Sequence, residues 1–206
     1  FIKKKLISHF DLDSNSQKPL KKLKILDVGC GGGLLCEPLS KLGAAITGID
    51  PSNDNIKVAK LHSKEMNLNI NYIRCSPENL NLKIEFDVIL NMEVIEHVSN
   101  VNLFIQNCSK LIKKKGIMFI ATLNKNLKSY IFGIVGAEYI LNLLPRGTHD
   151  YSKFIKPSEL TRWLRSCGLS VKESIGISYN PLNDHYWLSK DLGVNYLLHV
   201  TKKKYE

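Results

Sequence analysis

The sequence predicts an α/β fold in which a mostly parallel β-sheet is covered by helices on both faces. Short apolar runs of β type alternate with longer helical stretches between residues 24 and 123. This alternation is typical of βαβ units, whose strands lie parallel. The strand runs are apolar at successive positions, as expected of strands buried on both faces. A glycine-rich turn follows the first strand, where it lets the backbone reverse tightly.

Seven strands are expected, each an aliphatic and β-branched run bounded by turn-forming residues. They cover residues 24–28, 45–49, 71–75, 86–91, 116–123, 169–178 and 196–202, and the last two are expected to form an antiparallel hairpin. Helices are predicted at 34–42, 52–67, 102–114 and 157–167. Ser52 can cap the second helix, whereas Pro157 begins the last helix and Gly168 follows it. Residues 124–150 lack a β rhythm, so we expect a lid insertion within a single domain spanning residues 1–206.

Composition excludes several classes of protein. The 206 residues are 44% hydrophobic, which suits one globular domain, and no apolar run is long enough to cross a membrane. None of the five cysteines forms a CxxC pair, so neither a zinc site nor a disulfide framework is favoured. The net charge of +10 is compatible with anionic partners, and it is equally explained by a solvated, lysine-rich surface. An RNA-binding protein is an alternative that rests on this charge alone, and we expect no nucleic-acid partner.

The sharpest local signal is the glycine turn between the first strand and the first helix. Asp27 precedes Gly29, Gly31 and Gly33, and Asp50 ends the second strand. The spacing is GxGxG, which differs from the GxGxxG dinucleotide fingerprint, and no Gly-Lys-Ser/Thr follows to make a P-loop. Glycines at this turn let a ligand approach the helix, and a carboxylate after the second strand can accept hydrogen bonds from ribose hydroxyls.

These residues resemble the S-adenosyl-L-methionine site of class I methyltransferases, which have a Rossmann-like fold. The resemblance implies that the loop passes beneath the methionine and ribose, and that Asp50 binds the ribose. Adenine is then expected against residues 76–78 and Met92. Many members carry an acid after the third strand, whereas this chain has Ser76 and Pro77 there.

The segment after the fourth strand carries Glu93, Glu96 and His97. If it were a helical turn, these residues would share one face and could bind a divalent ion, with Mg²⁺ or Mn²⁺ favoured by the oxygen ligands and Zn²⁺ or Fe²⁺ kept open by the histidine. Two alternatives remain: His97 acts as a general base, or the three residues only cap a helix and fill a polar edge. The Asn/Asp-Pro-Pro-aromatic tetrad of amino-methylating nucleic-acid enzymes is not found here.

Later motifs are more specific. The blocks Gly-Ala-Glu-Tyr-Ile-Leu and Gly-Thr-His-Asp, with Lys-Pro-Ser-Glu-Leu after them, resemble the ubiquinone-biosynthesis O-methyltransferases. The resemblance implies methylation of a ring hydroxyl on polyprenylated catechol and hydroquinol intermediates, 2-polyprenyl-6-hydroxyphenol and 3-demethylubiquinol. It also implies Mg²⁺ at Glu93, Glu96 and His97, and cofactor contacts from Gly29, Asp50 and Met92. The chain begins with Phe1, so we expect the family's cofactor-binding arginine to precede it.

The chemistry requires a base, because a phenol with a pKa of about 10 is mostly protonated at neutral pH. His97 or His149 can take that proton, although His149 is equally explained as a hydrogen-bonded loop residue. Another small-molecule methyltransferase remains an alternative function. So does a catalytically weak scaffold subunit of a quinone-biosynthesis complex.

The most apolar stretch is 129–144, flanked by Lys125, Lys128 and Arg146. Such a lid can dip into an anionic membrane surface, where a polyprenylated phenol resides, or it can pack over the site without touching lipid. A peripheral membrane protein of the bacterial cytoplasm is expected, or one on the matrix face of the mitochondrial inner membrane if the source is eukaryotic.

Overall fold

Eight strands form one sheet in the computed structural model, which describes residues 1–79, 83–130, 150–180 and 183–202. The strands are β1 (Lys24–Val28), β2 (Ala45–Asp50), β3 (Asn71–Arg74), β4 (Phe86–Met92), β5 (Ile112–Leu123), β6 (Leu169–Asn180), β7 (His185–Ser189) and β8 (Asn195–Lys202). The helices are α1 (Ile2–Phe10), α2 (Cys36–Lys41), α3 (Asn53–Glu65), α4 (Val101–Leu111), α5 (Leu127–Ser129) and α6 (Pro157–Ser166). Single 3₁₀ turns lie at Pro77–Asn79 and Tyr151–Lys153.

The strand order is β3-β2-β1-β4-β5-β8-β6-β7. Strands β1 to β5 pair in parallel, which confirms the predicted βαβ units. Strand β8 runs antiparallel to both β5 and β6, and β7 runs antiparallel to β6. The carboxyl ends of β1, β2, β4, β5 and β6 therefore lie at one edge of the sheet, where ligands bind in such folds.

Two predictions about the sheet are wrong because of strand β7. The sheet has eight strands instead of seven, and β6 and β8 are antiparallel neighbours but do not form a hairpin, because β7 lies between them in the chain. The hairpin is formed by β6 and β7. The sequence hides β7 because four of its five residues are exposed, so it has no alternation of buried and exposed positions.

The core has one layer on each face of the sheet, as the apolar strands predict. On β1, Leu26 and Val28 pack on the same face as α4 and α6, whereas Ile25 packs on the opposite face. That second face is covered by α2, α3 and α1. Helix α1 is not predicted from the sequence, since four of its nine residues are lysine or histidine, yet its Leu6 is fully buried.

Other boundaries shift by a few residues. The Ser52 hydroxyl accepts a hydrogen bond from the Asn55 amide (3.2 Å), which confirms the predicted cap of α3. Helix α4 ends at Leu111 instead of reaching residue 114, because Lys113 to Lys115 form an irregularity within β5. In the part of the chain that the structure describes, no helix could span a membrane. Most of the predicted lid, residues 131–149, lies outside the described residues.

Candidate active site

The glycine turn is built by left-handed backbone conformations. Gly29, Gly31 and Gly33 have φ of 69°, 52° and 91°, which non-glycine residues rarely adopt. A Cβ atom on Gly29 would lie 2.5 Å from Val94 Cγ2, so the loop packs closely against the segment after β4. A Cβ atom on Gly31 would meet nothing within 4 Å. The loop therefore leaves open space above Gly31 for a ligand.

Asp50 joins this loop to the end of β2. Its buried carboxylate accepts hydrogen bonds from the Gly31 amide at Oδ2 (3.0 Å) and from the Ser52 amide (2.8 Å) and Asn55 Nδ2 (3.1 Å) at Oδ1. A carboxylate has about four acceptor positions, so one remains on Oδ2. The sequence does not predict that Ser52 and Asn55 bind Asp50. Polar residues at the beginning of a helix are usually explained by helix capping alone.

A cavity of about 380 Å³ lies above the loop. We call it the loop-side cavity, and its lining includes Gly29, Asp50, Ser76, Pro77, Glu93 and His97. The structure thus brings together the predicted ribose-binding acid, the predicted adenine loop and two members of the predicted metal set. Met92, which is predicted to contact the cofactor, is not among the residues that line this cavity. It is partly buried and packs against the core on the side of α2 and α3.

Asp27 lies beneath the loop and is almost fully buried. Its carboxylate accepts a hydrogen bond from the Cys36 thiol (3.2 Å). Burial raises the pKa of Asp27 to about 7, the thiol contact lowers it in part, and the charge of Asp50 raises it further. Asp27 therefore supports the turn from below and does not line the loop-side cavity.

The segment after β4 is a tight turn and not a helix, so the helical spacing expected for its acidic residues does not apply. Glu93 adopts a left-handed conformation (φ 56°), and its amide donates to the Ala121 carbonyl of β5 (3.0 Å). The His97 amide donates to the Val94 carbonyl (2.9 Å). A non-glycine residue at positive φ is strained, and such strain concentrates at functional sites.

This turn brings two carboxyl groups together. Glu96 is buried, and its Oε2 accepts a hydrogen bond from the Thr122 hydroxyl (2.9 Å). Glu93 lies beside it at the cavity wall. Glu93 is exposed at the cavity, but loss of hydration around its carboxyl group and the charge of Glu96 raise the pKa of Glu93 to about 8. The sequence analysis does not predict a role for Thr122, although it is the single polar residue of the predicted strand 116–123.

A second cavity of about 520 Å³ lies on the other side of this turn, and we call it the α6-side cavity. Glu96 and His97 line it, together with Phe154, Lys125 and Trp163 of α6. His97 and Val98 line both cavities. The exposed imidazole of His97 therefore stands on the wall between an opening over the glycine loop and an opening under α6.

The carboxyl pair fits a divalent cation in one respect. Glu96 Oε1 is buried without a hydrogen-bond partner among the described residues, which is costly for a carboxylate oxygen. Across residues 1–79, 83–130, 150–180 and 183–202, however, no three His, Cys, Asp or Glu side chains already stand together as a metal site. The predicted metal set of Glu93, Glu96 and His97 stays a prediction. His149 lies outside the described residues.

Comparison with known proteins decides the family. Residues 7–174 match the methyltransferase domain family. The ubiquinone biosynthesis O-methyltransferase of Pelagibacter ubique is 54% identical over 202 residues, covering 98% of this chain and 84% of the relative. The ubiquinone biosynthesis O-methyltransferase of Bartonella tribocorum is 53% identical over 199 residues, covering 96% and 81%. This chain belongs to the ubiquinone biosynthesis O-methyltransferase family.

Solved structures agree with this family's fold. The magnesium protoporphyrin IX methyltransferase of Synechocystis, solved with bound SAH, has a TM-score of 0.69 at 18% identity, over 97% of this chain and 81% of that one. A SAM-dependent methyltransferase from Methanosarcina mazei has a TM-score of 0.65 at 17% identity, over 89% and 93%. The class I, Rossmann-like fold is confirmed. As a ubiquinone biosynthesis O-methyltransferase family member, the chain is an enzyme that uses S-adenosyl-L-methionine, as its motifs predict.

Proposed function

We propose that this enzyme methylates a ring hydroxyl of 2-polyprenyl-6-hydroxyphenol and of 3-demethylubiquinol, two polyprenylated intermediates of ubiquinone biosynthesis. The observation that carries the proposal is the wall shared by the two cavities, on which His97 stands. A methyl donor on the loop side and a phenol on the α6 side would meet there. Methyl transfer needs an oxygen nucleophile in line with the donor, which is mainly a matter of positioning.

On the loop side, Gly29, Gly31 and Asp50 would hold S-adenosyl-L-methionine, which supplies a methyl group already activated on a sulfonium. The open space above Gly31 suits a ligand lying against the backbone. The acceptor position left on Asp50 Oδ2 suits a ribose hydroxyl. We retain Met92, at the end of β4, as a cofactor contact implied by the family, and Asp27 and Gly33 as supports of the loop.

On the α6 side, an aromatic and aliphatic surface would receive the phenol ring and the start of its tail. Trp163, Phe154 and Ile155 provide apolar area, and Lys125 stands at the rim, where its ammonium group donates to the Ser152 carbonyl (2.7 Å). Cavities of this size with a few polar groups are typical of small-molecule sites.

Glu93, Glu96 and His97 would hold Mg²⁺, which when bound polarises a hydroxyl and lowers its pKa. Two observations support this assignment: Glu96 Oε1 has no hydrogen-bond partner in the described part of the chain, and the two carboxyl groups lie close together. His97 is exposed, so its imidazole is free to turn toward the carboxyl pair. If His97 does not bind metal, it is our first candidate for the base that takes the phenol proton, and His149 is the second.

A polyprenyl tail requires access to a bilayer, so we include an anionic membrane surface among the partners, and a quinone-biosynthesis complex as a second. The β6–β7 hairpin supports the membrane contact, because it carries exposed Tyr186, Trp187 and Leu188 near the carboxyl edge of the sheet. Tyrosine and tryptophan favour the membrane–water interface. Because these relatives are bacterial, we propose a location at the inner surface of a bacterial membrane.

The test is methyl transfer from S-adenosyl-L-methionine to a short-chain prenyl catechol, first with chelator and then with Mg²⁺ restored. We expect chelator to abolish turnover and Mg²⁺ to restore it. The variant Glu96→Gln should lose the Mg²⁺ response, whereas Glu65→Gln, on the exposed end of α3, should keep it. Turnover that ignores chelator would refute the metal assignment and leave a histidine as the base.

The substrate class is tested by the same assay with acceptors of different tails. Faster turnover of short polar phenols than of prenyl catechols would refute the polyprenyl assignment in favour of another small-molecule methyltransferase. Binding of S-adenosyl-L-methionine without turnover of any phenol would instead indicate a scaffold role.

A further inference from the structure

A cavity of about 820 Å³ lies at the edge of the sheet opposite the active site. It is formed by the end of α1, the beginning of β6, the end of β8 and the irregular part of β5. Two paired strands connect the two edges: β5 from Ile117 to Leu123 and β8 from Thr201 to Asn195. At 3.3 Å per residue, each segment is about 20 Å long. This cavity is therefore separate from the methyl-transfer site.

The lining is strongly basic. Lys114 and Lys115 come from β5, Lys172 from β6 and Lys202 from β8. Among the described lining residues, Asp11 is the one acidic side chain. Glu173 lies nearby and is paired with Lys5. An excess of positive charge in a concave site raises the local concentration of anions.

Irregularities in two strands direct these lysines. The β4–β5 register jumps from Phe86 opposite Ile112 to Val88 opposite Ile117, and the extra residues include Lys114 and Lys115. In β6 the register jumps between Val171 and Glu173, so Lys172 is an extra residue. Bulges redirect side chains and are common beside binding sites. A contact between His9 Nε2 and the Lys115 carbonyl (2.9 Å) fixes the β5 irregularity to α1.

A buried histidine borders the cavity. His199 of β8 is 8% exposed, and its ring stacks on Phe119 with centroids 5.3 Å apart. Its Nε2 atom is buried and has no hydrogen-bond partner among the described residues. Buried polar atoms are rarely left unpaired, and an unpaired one calls for an explanation. His199 lines the cavity, so a small rotation of its ring would expose Nε2 to an acceptor oxygen on a ligand there.

We propose that this cavity is an anion site that binds phosphate groups. Lysine ammonium groups bind phosphate oxygens as point charges, and an imidazole N–H donates to them. The volume exceeds that of a single phosphate, so the cavity has room for a phosphate ester or a polyphosphate. The same phosphate chemistry is offered by a soluble compound and by a phospholipid headgroup, which the experiment separates.

The experiment titrates the full chain with pyrophosphate at low salt by calorimetry, and separately with vesicles of phosphatidylcholine with or without phosphatidylglycerol. The variant Lys114→Gln/Lys172→Gln should bind the phosphate ligand at least about tenfold more weakly, since two charge-assisted contacts are lost. The control Lys60→Gln/Lys64→Gln removes the same charge from exposed positions of α3 and should change binding less than about twofold. His199→Phe, which keeps the stack on Phe119, should also weaken binding.

Pyrophosphate binding that depends on these residues identifies a soluble ligand. Vesicle binding that depends on them, without pyrophosphate binding, identifies a lipid headgroup. Absence of both, or equal losses in the cavity and control variants, would overturn the proposal. Methyl transfer should stay unchanged in every variant, because none lies near the two active-site cavities.

Discussion

The chemistry of the active site depends on a few side chains whose surroundings set their charge. Among the described residues, Glu96 accepts one hydrogen bond, at Oε2 from Thr122, and its Oε1 has no partner. Glu93 stands beside it with a raised pKa, because loss of hydration at its carboxyl group and the charge of Glu96 disfavour its ionised form. Two carboxyl groups in this arrangement bind either a proton or a cation. Thr122 is therefore a positioning residue for the Glu96 carboxyl group, whether the pair binds a proton or a cation.

Replacement of Thr122 tests this role. Thr122→Val removes the hydroxyl that donates to Glu96 and leaves a second buried carboxyl oxygen unpaired, so we expect about tenfold slower methyl transfer. The Mg²⁺ concentration for half-maximal activity should rise as well, which a loss of stability alone would not produce. Thr122→Ser keeps the hydroxyl and should recover most of the activity. Equal Mg²⁺ dependence in Val and Ser variants would contradict the role.

Two elements shape the edge of the sheet that carries the site: the glycine turn after β1 and the β6–β7 hairpin. The turn packs against Val94 at Gly29 and opens at Gly31, so neighbouring glycines serve different purposes. The hairpin places aromatic side chains in solvent, where Tyr179 stacks on Tyr186 and His185 stacks on Trp187. Because exposed apolar patches of this kind often contact other molecules, we propose this surface as the membrane contact.

Alanine at the two glycines should separate folding from cofactor binding. Gly31→Ala adds a methyl group to the open space and strains the backbone by about 1–2 kcal/mol. It should reduce the affinity for S-adenosylhomocysteine and lower the melting temperature less than Gly29→Ala does. Gly29→Ala clashes with Val94 and should lower the melting temperature more. Calorimetric titration and thermal unfolding measure the two effects. The reverse ranking would show that the ligand does not lie above Gly31.

The hairpin should bind membranes through its aromatic residues. Replacing Tyr186 and Trp187 by serine removes apolar area that is 60% and 44% exposed, and we expect co-sedimentation with phosphatidylglycerol vesicles to fall several-fold. The control replaces Leu61 and Met66 of the α3 region, which are 61% and 43% exposed, by serine. Vesicle binding that is equally reduced by both pairs would assign the effect to general hydrophobicity.

At the scale of the whole molecule, the sheet separates two cavity-bearing edges of different chemistry. Its carboxyl edge carries acidic and aromatic groups, whereas the opposite edge carries the basic cavity around His199. The core between them is apolar on both faces of the sheet. Stability is shared across this core, so a buried charge at one point affects unfolding of the whole chain.

Asp27 should make the free energy of unfolding depend on pH. Its pKa is about 7 in the folded protein and 3.8 when unfolded, so only the unfolded state releases the proton between these values. The contribution of Asp27 to the free energy of unfolding is therefore fully present below pH 4 and is lost as pH rises toward 7, by at most about 4 kcal/mol. Asp27→Asn should remove this part of the fall. Urea unfolding of both proteins at pH 5 and pH 8 measures it, and parallel changes in both would contradict the assignment.

Local sequence determined much of this protein. The alternation of apolar runs determines the parallel strands, and the glycine spacing with Asp50 determines the cofactor loop, because periodicity and backbone conformation act over a few residues. Tertiary structure alone decided the contacts between distant segments. It brought Thr122 to Glu96 and paired the exposed β7 with β6. It also placed His199, whose Nε2 has no hydrogen-bond partner among the described residues, beside lysines from three strands. Such contacts depend on strand order and register, which no local pattern specifies.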